Sequence, residues 1–164
     1  MRNDCSEKIN QPIGFMDSGL GGLSVLREAI KIMPYEDFIY YGDSANAPYG
    51  TRTPEEVIDL TKKDVEFLLE RGAKAIVVAC NTATSVAIKE LRAAYEEVLP
   101  VIGIEPALKP AVKAKEHSKV VVMATPMTLS QTKFNSMMHI YEDDANIIKM
   151  PCPGLVEYIE SGVL

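Results

Sequence analysis

Strand-like and helix-like stretches follow one another without a break through this chain, and that alternation limits the fold more than any other feature. Residues 13–17 are a short apolar run that ends in Asp17-Ser18-Gly19-Leu20-Gly21-Gly22, after which Leu23, Leu26, Ile30 and Met33 recur at helical spacing. Residues 37–41 form a second β-rich run, and the proline-bearing stretch 42–52 leads into Thr53-Pro54-Glu55-Glu56. There Thr53 caps a helix, Glu56 completes a capping box and Pro54 takes the first helical position. That helix is expected to run to residue 71 and stop at Gly72.

Residues 75–79 read as a buried third strand, followed at once by Cys80-Asn81-Thr82 and a helix carrying Ala87, Leu91, Tyr95 and Val98. Further strands are expected at 101–104 and 120–124, with a helix between them starting near Pro106. Then come Thr125-Pro126-Met127-Thr128, a helix to Tyr141, a weak strand at 145–150 and a short helix after Pro153. Repeated βα units of this kind make an α/β protein, a parallel sheet with helices on both faces.

The 164 residues are 47% hydrophobic, enough for an ordinary buried core. A net charge of -6, with no stripe of Lys and Arg, argues against a nucleic-acid partner. Residues 1–12 form a polar extension with Arg2, Asn3, Asp4 and Glu7, unlike a secretion signal, and no apolar run reaches membrane-spanning length. No membrane partner and a cytoplasmic location are expected. Cys5, Cys80 and Cys152 make neither a CxxC pair nor an even set, which fits a reducing compartment. His117 and His139 lack a second ligand at helical or hairpin spacing, so they read as surface residues and no metal is expected.

In parallel α/β sheets, ligands bind beyond the carboxyl ends of the strands. Four segments fall there: Asp17-Ser18-Gly19, Gly42-Asp43 with Pro48-Tyr49-Gly50, Cys80-Asn81-Thr82, and Thr125-Pro126-Met127-Thr128. Together they offer a carboxylate, a thiol, several hydroxyls and helix N-terminal amides, which suits an anion site with a nucleophile or base in it. The glycine loop does not complete a dinucleotide fingerprint, because Ser24 stands where the third glycine belongs, and no phosphate-binding P-loop occurs. Cys80 leaves a buried strand and precedes a helix. Helix amides at that position are expected to lower a thiol from its reference pKa of about 8.5 into the working range, making Cys80 reactive rather than an apolar filler.

Ile13-Gly14-Phe15-Met16-Asp17-Ser18-Gly19-Leu20-Gly21-Gly22, Tyr41-Gly42-Asp43, Pro48-Tyr49-Gly50 and Ala79-Cys80-Asn81-Thr82-Ala83 resemble, in this order, the successive signatures of the glutamate racemases. The likeness continues through Val101-Ile102-Gly103-Ile104-Glu105-Pro106 and Thr125-Pro126-Met127-Thr128 to Cys152-Pro153 and Glu160-Ser161-Gly162. The resemblance implies interconversion of L- and D-glutamate without any cofactor, by two cysteines on opposite faces of the α-carbon. It makes Cys80 one of those thiols and Asp17 the carboxylate that assists it. Ser18, Asn81, Thr82 and Thr125 match residues that hold the amino and carboxylate groups, and Tyr49 and Gly50 match the loop that receives the side-chain carboxylate. Glu160 matches an acidic residue that supports the other cysteine, whereas Cys152 matches a separate Cys-Pro and reads as structural.

Two departures accompany the likeness. Gln131 and Phe134 stand where the family usually has serine and tyrosine, and the family's Cys-Thr-His-Tyr-Pro stretch with its second thiol does not occur in these residues. Glutamate racemases have two similar α/β domains, so residues 13–100 are expected to supply most of the first and 101–164 an incomplete second. Homodimer formation is left open. The implied role is to supply D-glutamate for peptidoglycan. The alternatives are a racemase of aspartate or another acidic amino acid, a non-catalytic module binding an acidic ligand, and a nucleotide-dependent oxidoreductase.

Overall fold

The computed structural model describes residues 9–114 and 118–162; Cys5, His117 and most of the expected polar extension lie outside them. The chain divides into two compact units, the first ending at Ile104 and the second beginning at Glu105. In the first unit β1 (Ile13–Asp17), β2 (Phe38–Gly42), β3 (Ala75–Val78) and β4 (Val101–Gly103) form a parallel sheet in the order β2-β1-β3-β4. Helices α1 (Leu23–Ile32), α2 (Pro54–Glu70) and α3 (Asn81–Tyr95) connect them.

Side chains alternate across β1 and β3, so each face of the sheet collects its own core. Phe15 and Ala79 pack on one face with Ala29, Val25 and Leu26 of α1. On the other, Gly14 lets Leu68 of α2 and Ile76 close over the strand: a Cβ at Gly14 would lie 3.1–3.2 Å from Ala73, Ile76 and Leu68. Met16, Ile76, Val78 and Leu68 have no exposed surface. A strand covered on both sides needs a continuous apolar run, which residues 13–16 and 75–79 provide. The capping box at Thr53 and Glu56 starts α2 as expected, and Gly72 follows its end at φ 79°, a conformation that favours glycine.

Two stretches differ from the reading of the sequence. A second domain is expected to begin near residue 101 and run to 164; in the structure Val101, Ile102 and Gly103 pair with Ile76, Val77 and Val78 of β3, and Ile76 N–H donates to Pro100 O. A short apolar run carries no mark of which sheet it joins; pairing decides it, and the first unit extends to Ile104.

The second difference concerns the one helix expected to reach Tyr141 after Thr125-Pro126-Met127-Thr128. This stretch holds two helices, α5 (Pro126–Ser130) and α6 (Thr132–His139), separated by an extended Gln131 at φ -69°, ψ 139°. Leu129 and Phe134 are both buried, yet five residues apart they would point about 140° from each other on one continuous helix. Breaking the helix resolves that conflict.

The second unit also holds α4 (Leu108–Lys113), β5 (Lys119–Ala124), β6 (Asn146–Pro151) and α7 (Leu155–Glu160). β5 and β6 pair in parallel, and Leu108, Val112 and Ala145 centre a cluster with Val120, Val122, Met137, Met138 and Ile147. Among the described residues no helix is long and apolar enough to cross a membrane.

Candidate active site

From β1 the chain first builds β2 on one side, then crosses to build β3 on the other. Loops leaving the ends of β1 and β3 therefore diverge, and the gap between them is where a ligand enters folds of this type. Asp17 ends β1 and is 5% exposed. Its Oδ2 accepts the N–H groups of Gly19 at 3.2 Å and Gly22 at 3.0 Å, which hold the carboxylate still. Tyr40, from β2, donates its hydroxyl to Gly19 O at 2.8 Å and lies 3.3 Å from the same Oδ2. Gly22 has to be glycine, because a Cβ there would sit 2.9 Å from the Cβ atoms of both Ala79 and Asp17. The glycines thus serve close approach of the loop to the strand ends.

Cys80 is the N-cap of α3, in extended conformation, and its Sγ accepts Ala83 N–H at 3.4 Å. Ser18 Oγ lies 3.4 Å from the same sulfur. Asp17, Ser18 and Cys80, spread over 64 positions of sequence, are thus brought to one sheet edge.

The thiol does not behave as expected from sequence. Burial pushes its pKa up, the charge of Asp17 pushes it further, and the bonds from Ala83 and Ser18 only partly oppose them. One helix amide cannot offset the loss of water around the sulfur. Cys80 rests as a protonated thiol beside a fixed carboxylate, and the expected lowering is wrong in sign.

The other expected residues divide by position. Thr82 is buried in the first turn of α3, whereas Asn81 is exposed at its start. Tyr49 opens a 3-10 turn, Tyr49–Thr51, and its side chain is 1% exposed with its hydroxyl engaged by Asp43 and Asp64. The Tyr49 hydroxyl is thus occupied, which leaves the backbone of the turn, Gly50 included, and the exposed Thr51 to meet a ligand. Thr125 and Glu160 stand in the second unit, where Thr125 Oγ1 caps α5 by accepting Thr128 N–H at 3.2 Å and Glu160 is half-buried in α7. Cys152 is a free, half-buried thiol of that unit. His139 is exposed and contacts Glu142 at 2.6 Å. Among the described residues no group of three or more His, Cys, Asp or Glu is arranged to hold a metal ion.

Sequence reading missed Tyr40 and Asp64. Tyr40 gave no signal, being one aromatic in a strand rich in them. Asp64 gave one: it shares the buried face of α2 with Val57, Thr61, Val65 and Leu68, and a carboxylate on that face needs a partner.

The description Asp/Glu/Hydantoin racemase belongs to the family model that matches residues 13–144. A glutamate racemase of Clostridium novyi (strain NT) is 62% identical over 153 residues, covering 93% of this chain and 59% of its own length. The chain thus spans about three fifths of that curated relative. Among solved structures, Escherichia coli glutamate racemase, in complex with L-glutamate and the activator UDP-MurNAc-Ala, superposes with a TM-score of 0.83 at 30% identity, over 93% of this chain and 57% of that one. Glutamate racemase from Francisella tularensis, in complex with D-glutamate, gives a TM-score of 0.75 at 32% identity over 93% and 57%.

Proposed function

Because the chain belongs to the Asp/Glu/Hydantoin racemase family, we propose that it supplies the Cys80 side of a cofactor-independent glutamate racemase. The observation that carries this reading is the meeting of Cys80, Ser18 and Asp17 at the ends of β1 and β3.

Racemisation removes a proton from one face of the α-carbon and returns one to the other. A resting Cys80 thiol is in the form that returns a proton: its S–H bond breaks, a C–H bond forms on the planar carbanion, and the electron pair stays on sulfur. Ala83 N–H and Ser18 Oγ–H then hold the thiolate. In the opposite direction the thiolate takes the α-proton. Asp17 opposes that ionisation, and a substrate ammonium seated beside Asp17 offsets its charge. Proton transfer is thereby coupled to an occupied site.

Ser18, Asn81, Thr82 and Thr125 are assigned to the substrate's amino and carboxylate groups, and the backbone at Tyr49 and Gly50 to the distal carboxylate. Glu160 is assigned to support the acid/base group on the opposite face. The product role is D-glutamate for peptidoglycan, in the cytoplasm.

The test is deuterium entry at the α-carbon of L- and D-glutamate in D₂O, read by NMR, with optical rotation reporting inversion. Cys80→Ala is expected to cut exchange by roughly 10² to 10⁴, the range for losing a positioned acid/base group, while Cys152→Ala leaves it unchanged. A polypeptide of these 164 residues should exchange the α-proton with little loss of optical rotation, since Cys80 serves one face only. Exchange indifferent to Cys80 sinks the reading; faster exchange with aspartate than glutamate changes the substrate.

A further inference from the structure

Asp64, on α2, is 4% exposed and meets the buried hydroxyl of Tyr49. That hydroxyl lies 2.7 Å from Asp64 Oδ2 and also 2.7 Å from Asp43 Oδ2. A phenol has one proton to donate. With both carboxyls ionised, one of these short contacts would contain no hydrogen and would set an anion against a lone pair in a dry site. One carboxyl therefore holds a proton. Asn46 Nδ2 donates to both oxygens of Asp43, each at 2.9 Å, which favours the charged form there. The proton falls to Asp64: its O–H donates to Tyr49 Oη, and Tyr49 O–H donates to the Asp43 carboxylate.

This chain of bonds reaches the site. Asp43 N–H donates to Asp17 O at 2.9 Å, Arg52 Nε donates to Asn46 O at 2.7 Å, and the Tyr49–Thr51 turn packs against α3, the helix that Cys80 caps. We propose that Asp64 and Asp43 share one buried carboxyl proton through the Tyr49 hydroxyl, and that this proton holds the Pro48-Tyr49-Gly50 turn in place and keeps a negative charge away from it, making Asp64 a positioning residue for an acidic substrate. The second half of that statement rests on the racemase reading. Glutamate brings two carboxylates, and a third ionised aspartate behind the turn, beside Asp17 and Asp43, would repel them.

Burial drives the Asp64 pKa up from 3.8 to about 7, and the charge of Asp43 adds to the rise; a Tyr49 hydroxyl turned to donate to Asp64 instead of Asp43 would oppose it. Around it, Tyr41 and Asp43 come from β2 and the loop after it, Tyr49 from the turn, and Arg71 follows the end of α2. β1 offers only Asp17, and on α3 Lys89, Glu90 and Arg92 are exposed while Tyr95 meets Glu66. Raising the pH through about 7 removes the shared proton and adds charge behind the turn, so binding of a dicarboxylate weakens in that window.

The experiment uses the protein carrying ¹³Cγ-aspartate, with L-glutamate titrated by calorimetry on either side of neutrality. Wild type should show one aspartate carbon titrating near pH 7, missing in Asp64→Asn. At the acid end Asp64→Asn should bind L-glutamate as wild type does, because its amide N–H donates to Tyr49 as the carboxylic acid does, and its affinity should no longer fall as the pH rises. Asp43→Asn and Tyr49→Phe should bind about tenfold or more weakly, the cost of stranding a buried partner. If Asp64→Asn and Asp43→Asn weaken binding alike, or Asp64 titrates in the ordinary carboxylate range, the proton chain is overturned. If wild type binds no L-glutamate while Asp64 still titrates near pH 7, the shared proton stands and the racemase reading falls.

Discussion

The two units use the same βα vocabulary and arrive at different degrees of enclosure. In the first, Phe15 and Met16 on β1 and Ile76 and Val78 on β3 are 0–2% exposed, with helices over both faces of the sheet. In the second, Val120, Val122 and Ile147 lie within a helix-covered cluster, while Val121, Met123, Ile148 and Met150 on the other face are 42–58% exposed. The chemistry of Asp17, Ser18 and Cys80 sits at the end of the sheet that is dry on both sides. Enclosure lets a carboxylate be pinned by amides and a thiol be held protonated; strands alone do not.

The largest effect that could break this comparison is in the cores. Leu68→Ala should cost the first unit about 2–5 kcal/mol, as truncation of a buried leucine does, whereas Val121→Ala should cost about 0.5 kcal/mol or less. Urea unfolding of the two variants measures the difference. Similar losses would mean that the exposed face of β5 and β6 is covered in solution.

The next effect contrasts two thiols. Near neutral pH, half-buried Cys152 should react with iodoacetamide about tenfold or more faster than Cys80, because a buried thiol with a raised pKa presents little thiolate. Labelling followed by peptide mass mapping gives both rates. A faster Cys80 would mean that the Ala83 amide and Ser18 outweigh burial and Asp17.

The smallest is a cap. Thr53→Ala removes the side chain that accepts Glu56 N–H at 3.3 Å and should lower the stability of the first unit by about 1 kcal/mol, read by denaturant titration. No change would mean that α2 is held by its buried face alone.

Much of the secondary structure was legible because its signals are local. The apolar run 13–16, the Thr53 and Glu56 box and Gly72 each act within a few residues, and each stands where expected. The sheet that Val101 joins and the break at Gln131 were not legible. Both depend on partners distant in sequence: β3 for the first, and the need to bury Leu129 together with Phe134 for the second.

At the candidate site the division follows the range of the forces involved. By itself the sequence determined that Asp17 ends a strand, that Cys80 stands between a strand and a helix, and that the order of motifs is that of a racemase family. Only the tertiary structure decided the protonation of Cys80 and brought Asp64 to Tyr49. The reason is that desolvation and charge depend on what lies within a few ångströms in space. Asp17 is 63 residues from Cys80 and Asp64 is 15 from Tyr49, so no local pattern contains either pair.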